Sequence, residues 1–79
     1  MKVVLVTRVG CHLCDQALGL LRELGVEPEL ADVDADDDLH SVYDWRVPVV
    51  LVDGRVVAEG RIERSGLSKA VGKGSAGRP

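Results

Sequence analysis

Two cysteines, Cys11 and Cys14, form a single Cys-x-x-Cys motif near the N-terminus of the 79-residue chain. A disulfide between residues this close constrains the unfolded chain very little, so we expect the pair to serve chemistry instead of stability. A thiolate attacks a disulfide, and a second thiol nearby can then resolve the mixed disulfide that forms. The motif therefore predicts a dithiol that exchanges electrons with disulfides.

The elements around the motif predict the role of each sulfur. Residues 2–7 are mostly β-branched and apolar, which predicts a buried strand, and apolar residues then recur every three or four positions in a predicted helix that ends at Gly25. Cys11 precedes the first helical turn, where unpaired amides favour negative charge, and Cys14 lies one turn inside. We expect Cys11 to attack and Cys14 to resolve. Arg8 either adds positive charge beside Cys11 or is a surface residue that anchors nothing.

The remainder of the chain predicts three further strands and two further helices. The strands are predicted at residues 29–34, 47–52 and 55–59, and the helices at 36–43 and within 62–71. Asp53-Gly54 predicts a hairpin turn between the last two strands, because both positions of such a turn need positive φ. The predicted order is βαβαββα, an α/β domain over residues 1–71 with a four-stranded mixed sheet flanked by helices, followed by a flexible tail at 72–79.

Length and charge exclude several classes of function. A chain of 79 residues holds one domain, and a net charge of -3 provides no basic surface for nucleic-acid phosphates. The longest apolar run near the N-terminus covers residues 3–6, far short of the ~20 residues of a membrane-spanning helix or the ~7–15 of a signal-peptide core. We therefore expect a cytoplasmic monomer that binds neither nucleic acid nor membrane.

Three motifs in this order resemble the thioredoxin superfamily and, within it, the small glutaredoxin-like proteins: Cys11-His12-Leu13-Cys14, Val47-Pro48 and Asp53-Gly54. The resemblance covers residues 2–71. It implies a thioredoxin-like fold and an electron carrier in cell redox homeostasis, with a redox-active disulfide between the two cysteines. It also implies that the bond before Pro48 is cis, that Pro48 packs beside the disulfide, and that the backbone of Val47 pairs with an incoming peptide or glutathione.

The resemblance leaves two sources of electrons open, glutathione and a thioredoxin-reductase-type flavoprotein. Gly60 matches one glycine of the Gly-Gly turn with which glutaredoxins hold glutathione, but the second glycine and the acidic residues of that turn do not match. Glu59 adds a negative charge where a glutathione carboxylate is expected to dock. We therefore expect weak glutathione affinity and no bound cofactor. The expected substrate is a disulfide-containing protein, bound by Arg8, Val47, Pro48 and Gly60.

Other interpretations of the motifs stay open. In a second class of function, Cys11 helps to hold an iron–sulfur cluster between two subunits, as in some glutaredoxins. A third is an interaction domain with vestigial cysteines. A zinc site is not expected, because zinc needs four ligands and only His12 and His40 are left to join the cysteines. His12 either tunes the Cys11 thiolate or faces solvent, and His40 is expected at the surface.

Two further features await a role. Residues 27–44 contain eight carboxylates and no lysine or arginine, which indicates either a solvated face or a docking surface for a basic partner. Trp45 directly precedes the Arg46-Val47-Pro48 stretch, and we expect it in the core or as a lid near the redox site, with a possible second role as a substrate anchor.

Overall fold

The computed structural model describes residues 1–72 as a four-stranded mixed sheet that carries helices on its faces. The elements are β1 (Val3–Thr7), α1 (His12–Glu23), β2 (Glu29–Asp32), α2 (Asp37–Tyr43), β3 (Val49–Val52), β4 (Arg55–Glu59) and α3 (Arg64–Leu67). A π-helical segment, Ser68–Gly72, continues α3. The predicted βαβαββα order and α/β class are confirmed. The predicted tail, apart from Gly72 at the end of this segment, lies outside the described residues.

The strands lie in the order β2-β1-β3-β4. β1 runs parallel to β2, with Thr7 opposite Asp32, and antiparallel to β3, with Val6 opposite Val49. The carboxyl ends of β1 and β2 and the start of β3 therefore share one edge of the sheet. Three segments meet there: the cysteine motif, the acidic segment after β2, and the loop that ends at Pro48.

The hairpin between β3 and β4 has the predicted turn. Asp53 and Gly54 have φ angles of 51° and 84°, the left-handed backbone that this kind of turn requires at both central positions. The register shifts within the pair, so that Val57 is an extra residue between the Val50–Ala58 and Leu51–Val56 partners. Such a bulge increases the local twist of the strand pair at the sheet edge.

Apolar side chains pack on both faces of the sheet, because successive strand residues point to opposite sides. One face holds the larger cluster of buried residues, formed by Val3, Leu5, Ala17, Leu21, Val50, Leu67 and Val71. The other face holds Val6, Val33 and Val49, covered by side chains of α2 and its neighbours. Helices α1 and α3 therefore pack on one face of the sheet and α2 packs on the other. Each fully buried aliphatic side chain contributes about 1.5–3 kcal/mol to the free energy of folding.

The ends of some elements differ from the sequence prediction. The third strand begins at Val49 instead of residue 47, because Val47 and Pro48 belong to the preceding loop. The last helix begins at Arg64, and Glu63 before it makes no side-chain capping hydrogen bond, so the sequence carried no signal for that start. No helix within residues 1–72 has both the length and the apolar character needed to cross a membrane.

Candidate redox site

Cys11 is the N-cap residue of α1. Its backbone is extended, with φ -90° and ψ 112°, and its Sγ accepts a hydrogen bond of 3.1 Å from the backbone N–H of Cys14. The side chain thus occupies the position where an N-cap oxygen normally binds the first-turn amides. An amide donor and the positive end of the helix dipole both favour negative charge at this sulfur. Cys11 is only partly buried, so the sulfur is accessible to a substrate.

Cys14 lies one turn inside α1 and is 1% exposed. Burial is the largest cause that raises the pKa of its thiol, and hydrogen bonding to Cys11 raises the pKa further. The Thr7 side chain and the backbone of Arg8 act in the opposite direction without reversing the shift. Cys14 is therefore held as a neutral thiol in contact with Cys11. The two sulfurs are brought together in unequal environments, one accessible and one buried.

Val47, Pro48 and Gly60 lie together at the start of β3. The Val47–Pro48 peptide bond is cis, which confirms the expectation from the family resemblance. Pro48 is buried, and its carbonyl oxygen accepts a 2.8 Å hydrogen bond from the backbone N–H of Gly60, whose φ of 69° places it in the left-handed region. Val6 pairs with Val49, so Pro48 stands across from Thr7, the residue whose side chain reaches Cys14.

Arg8 binds two carboxylates. Its Nε and Nη2 donate to the two oxygens of Asp34 at 2.8 and 2.9 Å, while Nη1 donates to the Asp44 backbone oxygen at 3.2 Å and Nη2 to the Asp44 carboxylate. The hydrogen bonds from Arg8 hold the pKa of Asp34 below its usual range. Arg8 therefore connects the cysteine loop to both flanks of α2, and the interpretation as a residue that anchors nothing is wrong. Its predicted contact with substrate stays a prediction.

The network around Arg8 was not predicted from the sequence. His40 Nε2 lies 3.4 Å from the Asp44 carboxylate and 3.9 Å from that of Asp34. The ligand atoms of these three residues fall within 4.8 Å of one another, an arrangement that a cation could use. The guanidinium of Arg8 already supplies positive charge at that place. Only the spacing of His40 and Asp44, four residues apart on a helix, could have indicated a contact from sequence.

Arg46 and Glu59 form a second ion pair beside the proline loop. Two hydrogen bonds, of 2.7 and 3.0 Å, join the guanidinium to the carboxylate, and Arg46 also lies over the Tyr43 ring at 5.1 Å from its centroid. The hydrogen bonds from Arg46 lower the pKa of Glu59. The negative charge predicted at Glu59 is therefore present, but it is paired with Arg46 instead of facing an incoming ligand.

Trp45 is 93% exposed, so the prediction of a core or lid position is wrong. Smaller side chains, those of Leu39, Tyr43 and Val47, pack on that face of the sheet instead. Trp45 directly follows Asp44, whose carboxylate and backbone oxygen bind Arg8, and its second role as a substrate anchor stays a prediction. His12, between the two cysteines, is exposed to solvent.

The comparisons with known proteins agree with this geometry. A family model described as "Glutaredoxin-like domain (DUF836)" matches residues 2–72. Uncharacterized proteins of Mycobacterium bovis and of two strains of Mycobacterium tuberculosis are 31% identical over 87 aligned positions, which cover 99% of this chain and 90% of each relative. The X-ray structure of the Northeast Structural Genomics target protein XcR50 from X. campestris superposes with a TM-score of 0.76 at 30% identity. That match covers 89% of this chain and 95% of the other.

The mixed sheet, the Cys-x-x-Cys at the start of α1 and the cis-proline loop define a protein with the redox-type fold of the thioredoxin superfamily. Within that class, the chain belongs to the glutaredoxin-like domain family that the matching model describes.

Proposed function

We propose that the protein is a dithiol-disulfide oxidoreductase that reduces a disulfide in a protein substrate. The observation that carries the proposal is the difference between the two sulfurs. Cys11 is accessible and accepts a hydrogen bond from a helix N-terminal amide, whereas Cys14 is buried and kept protonated beside it. A nucleophile needs the first environment, and a resolving thiol needs only to reach the nucleophile's sulfur.

The reaction takes two exchange steps. The Cys11 thiolate attacks one sulfur of the substrate disulfide, a Cys11–substrate bond forms, and the other substrate sulfur leaves as a thiolate that takes up a proton. Cys14 then loses its proton and attacks the Cys11 sulfur, which releases the second substrate thiol and leaves a Cys11–Cys14 disulfide. Two electrons pass from the dithiol to the substrate, so the disulfide of the protein must be reduced again by a two-electron donor of thiol or flavoprotein type.

We further propose that a thioredoxin-reductase-type flavoprotein supplies these electrons more effectively than glutathione. Glutathione carries two carboxylates that need cationic or amide donors. The arginine beside the proline loop, Arg46, is engaged by both oxygens of Glu59. Glutathione must displace Glu59 to use this cation, whereas a protein reductase requires only access to Cys11. Such a role fits a monomer in the cytoplasm, where thiols are kept reduced.

A coupled turnover assay tests the proposal. Reduction of a model protein disulfide is measured for the wild type, Cys11→Ser and Cys14→Ser, once with glutathione and its reductase and once with a thioredoxin-reductase-type flavoprotein. We expect turnover by the wild type, its loss in Cys11→Ser, and a higher rate with the flavoprotein. Turnover that survives in Cys11→Ser would exclude the mechanism. A visible absorbance band in anaerobically purified protein would instead support the iron–sulfur scaffold, in which Cys11 is the accessible ligand.

A further inference from the structure

A groove of about 400 Å³ opens beside the redox motif, between α1 and the sheet edge formed by β2. Val9 and Gly10, the two residues before Cys11, line the groove together with Cys14. Leu18 of α1 and Leu30 of β2 also belong to the lining. A molecule bound in the groove therefore lies against residues that flank Cys11 in the sequence.

Two apolar residues in the lining of the groove remain unusually exposed. Leu30 is 55% exposed and Val9 88% exposed, although both line a concave surface next to the site of chemistry. Apolar side chains of this size gain about 1.5–3 kcal/mol when they are fully buried. Contact with an apolar side chain of a partner would bury apolar surface at either residue, and the groove volume is sufficient for one such side chain.

The charged residues of the groove indicate the charge of the partner. Asp15 and Asp32 belong to the lining. Neither has an ion-pair partner among residues 1–72, although one oxygen of Asp32 accepts a hydrogen bond from the backbone N–H of Asp34. Arg8 also contributes to the lining, but its guanidinium is bound by Asp34 and Asp44. The lining thus combines apolar side chains with net negative charge, which favours a cationic ligand.

We propose that the groove binds the segment of the protein substrate that flanks its disulfide, with an apolar side chain inserted between Leu18 and Leu30 and a lysine or arginine against Asp15 and Asp32. The inference rests on the proposed reduction of protein disulfides and adds the sequence class of the substrate. The chain's own residues 73–79 are a poor match, because they contain arginine and lysine but no valine, leucine, isoleucine, methionine or aromatic residue.

Four matched peptides test the inference. Each carries one cysteine as a mixed disulfide with thionitrobenzoate, in the sequences Lys-Leu-Cys-Leu-Lys, Lys-Ser-Cys-Ser-Lys, Glu-Leu-Cys-Leu-Glu and Glu-Ser-Cys-Ser-Glu. The rate at which pre-reduced protein releases thionitrobenzoate is divided by the rate for a small dithiol, which removes differences in intrinsic reactivity. We expect the first peptide to react about tenfold faster than the last, and its lysine-dependent advantage to shrink at high salt.

Variants show which residues cause the preference for leucine and which cause the preference for lysine. Leu30→Ser is expected to remove the advantage of leucine, and Asp15→Asn with Asp32→Asn the advantage of lysine. Glu63→Gln is the matched charge control. Arg64, which follows Glu63, binds Glu23 at the last residue of α1, the end of the helix opposite to Cys11. Its rates are expected to equal those of the wild type.

The other outcomes are distinct. Equal normalised rates for the four peptides would overturn the inference and leave the dithiol mechanism intact. Failure to reduce any peptide would overturn the proposed function and the inference with it. A wild type that self-associates, and that Leu30→Ser converts to a monomer, would show that a second copy of the chain fills the groove and would also overturn the inference.

Discussion

At the scale of single residues, Cys11 and Cys14 differ in what surrounds each sulfur. The N-cap position gives Cys11 an amide donor and leaves it accessible, while the same helix buries Cys14 against the sheet. The sequence predicted this division from helix direction alone, because the first turn of a helix always leaves unpaired amides. It did not predict the contact of Cys14 with Thr7, which depends on how α1 packs on β1.

Resolution by Cys14 is expected to be slow near neutral pH and to accelerate as the pH rises. Burial raises the pKa of Cys14 above its ordinary value of 9.0, so the thiolate fraction grows about tenfold per pH unit from roughly pH 7 to pH 9. The measurement is stopped-flow release of a peptide thiol from the preformed Cys11 mixed disulfide across that range. A release rate independent of pH there would contradict the expectation.

Glu59→Gln is expected to improve the use of glutathione. The substitution removes the carboxylate that occupies Arg46 and leaves a cation available to a glutathione carboxylate. Exposed ion pairs are worth about 0.2–1 kcal/mol, so the KM for glutathione should fall by up to about fivefold. Turnover with the flavoprotein reductase should not change, and Glu63→Gln provides the control. Efficient turnover of the wild type with glutathione, unaltered by Glu59→Gln, would show that Glu59 does not keep glutathione from Arg46.

At the scale of elements, the parts of the fold that depend on neighbouring residues were predictable and those that depend on distant ones were not. The Asp53-Gly54 turn was predicted because its two residues accept the required backbone by themselves. The position of Trp45 was predicted wrongly, because whether it packs in the core depends on which side chains of α2 already cover that face. The ion pairs of Arg8 join it to carboxylates 26 and 36 residues away, so they could not be predicted from a local sequence pattern either.

Arg8→Gln is expected to loosen α2 and the loops beside it. Arg8 donates to Asp34 before that helix and to Asp44 after it, so its loss leaves both flanks without their contact to the cysteine loop. Amide hydrogen exchange should become several-fold faster in residues 39–44 and change little in α1. Arg22→Gln is the matched control, since it breaks an exposed ion pair with Glu27 at the other end of α1. Equal protection of residues 39–44 in Arg8→Gln and the wild type would contradict a bridging role.

At the scale of the whole molecule, the acidic segment after β2 lies at the same edge of the sheet as the redox motif. The carboxyl ends of β1 and β2 lie side by side, so the segment that follows Asp32 begins next to the loop that contains Cys11. The sequence predicted a run of carboxylates but left open whether it faces only solvent. Its adjacency to the attacking sulfur follows from parallel pairing, and it makes the charge of a substrate relevant to the rate of reaction.

Leu21→Ala is expected to remove much of the stability of so small a domain. Leu21 is fully buried in the larger core cluster, where α1 packs on the sheet. Truncation of such a leucine costs about 2–5 kcal/mol, against a total of only ~5–10 kcal/mol for a domain of this length. Urea denaturation followed by circular dichroism measures the change, and Leu30→Ser, at an exposed position, is expected to alter the midpoint little. A loss below about 1 kcal/mol in Leu21→Ala would contradict the packing described.

Trapping of the mixed disulfide shows which of the two cysteines attacks and which resolves. Reduced Cys14→Ser and Cys11→Ser are each incubated with a peptide disulfide, and the adducts are located by mass spectrometry of the intact protein and its fragments. We predict a stable peptide adduct on Cys11 in Cys14→Ser, little or no adduct in Cys11→Ser, and a Cys11–Cys14 disulfide without bound peptide in the wild type. An adduct that forms readily on Cys14 in Cys11→Ser, while Cys11 stays unmodified in Cys14→Ser, would contradict this assignment of the two cysteines.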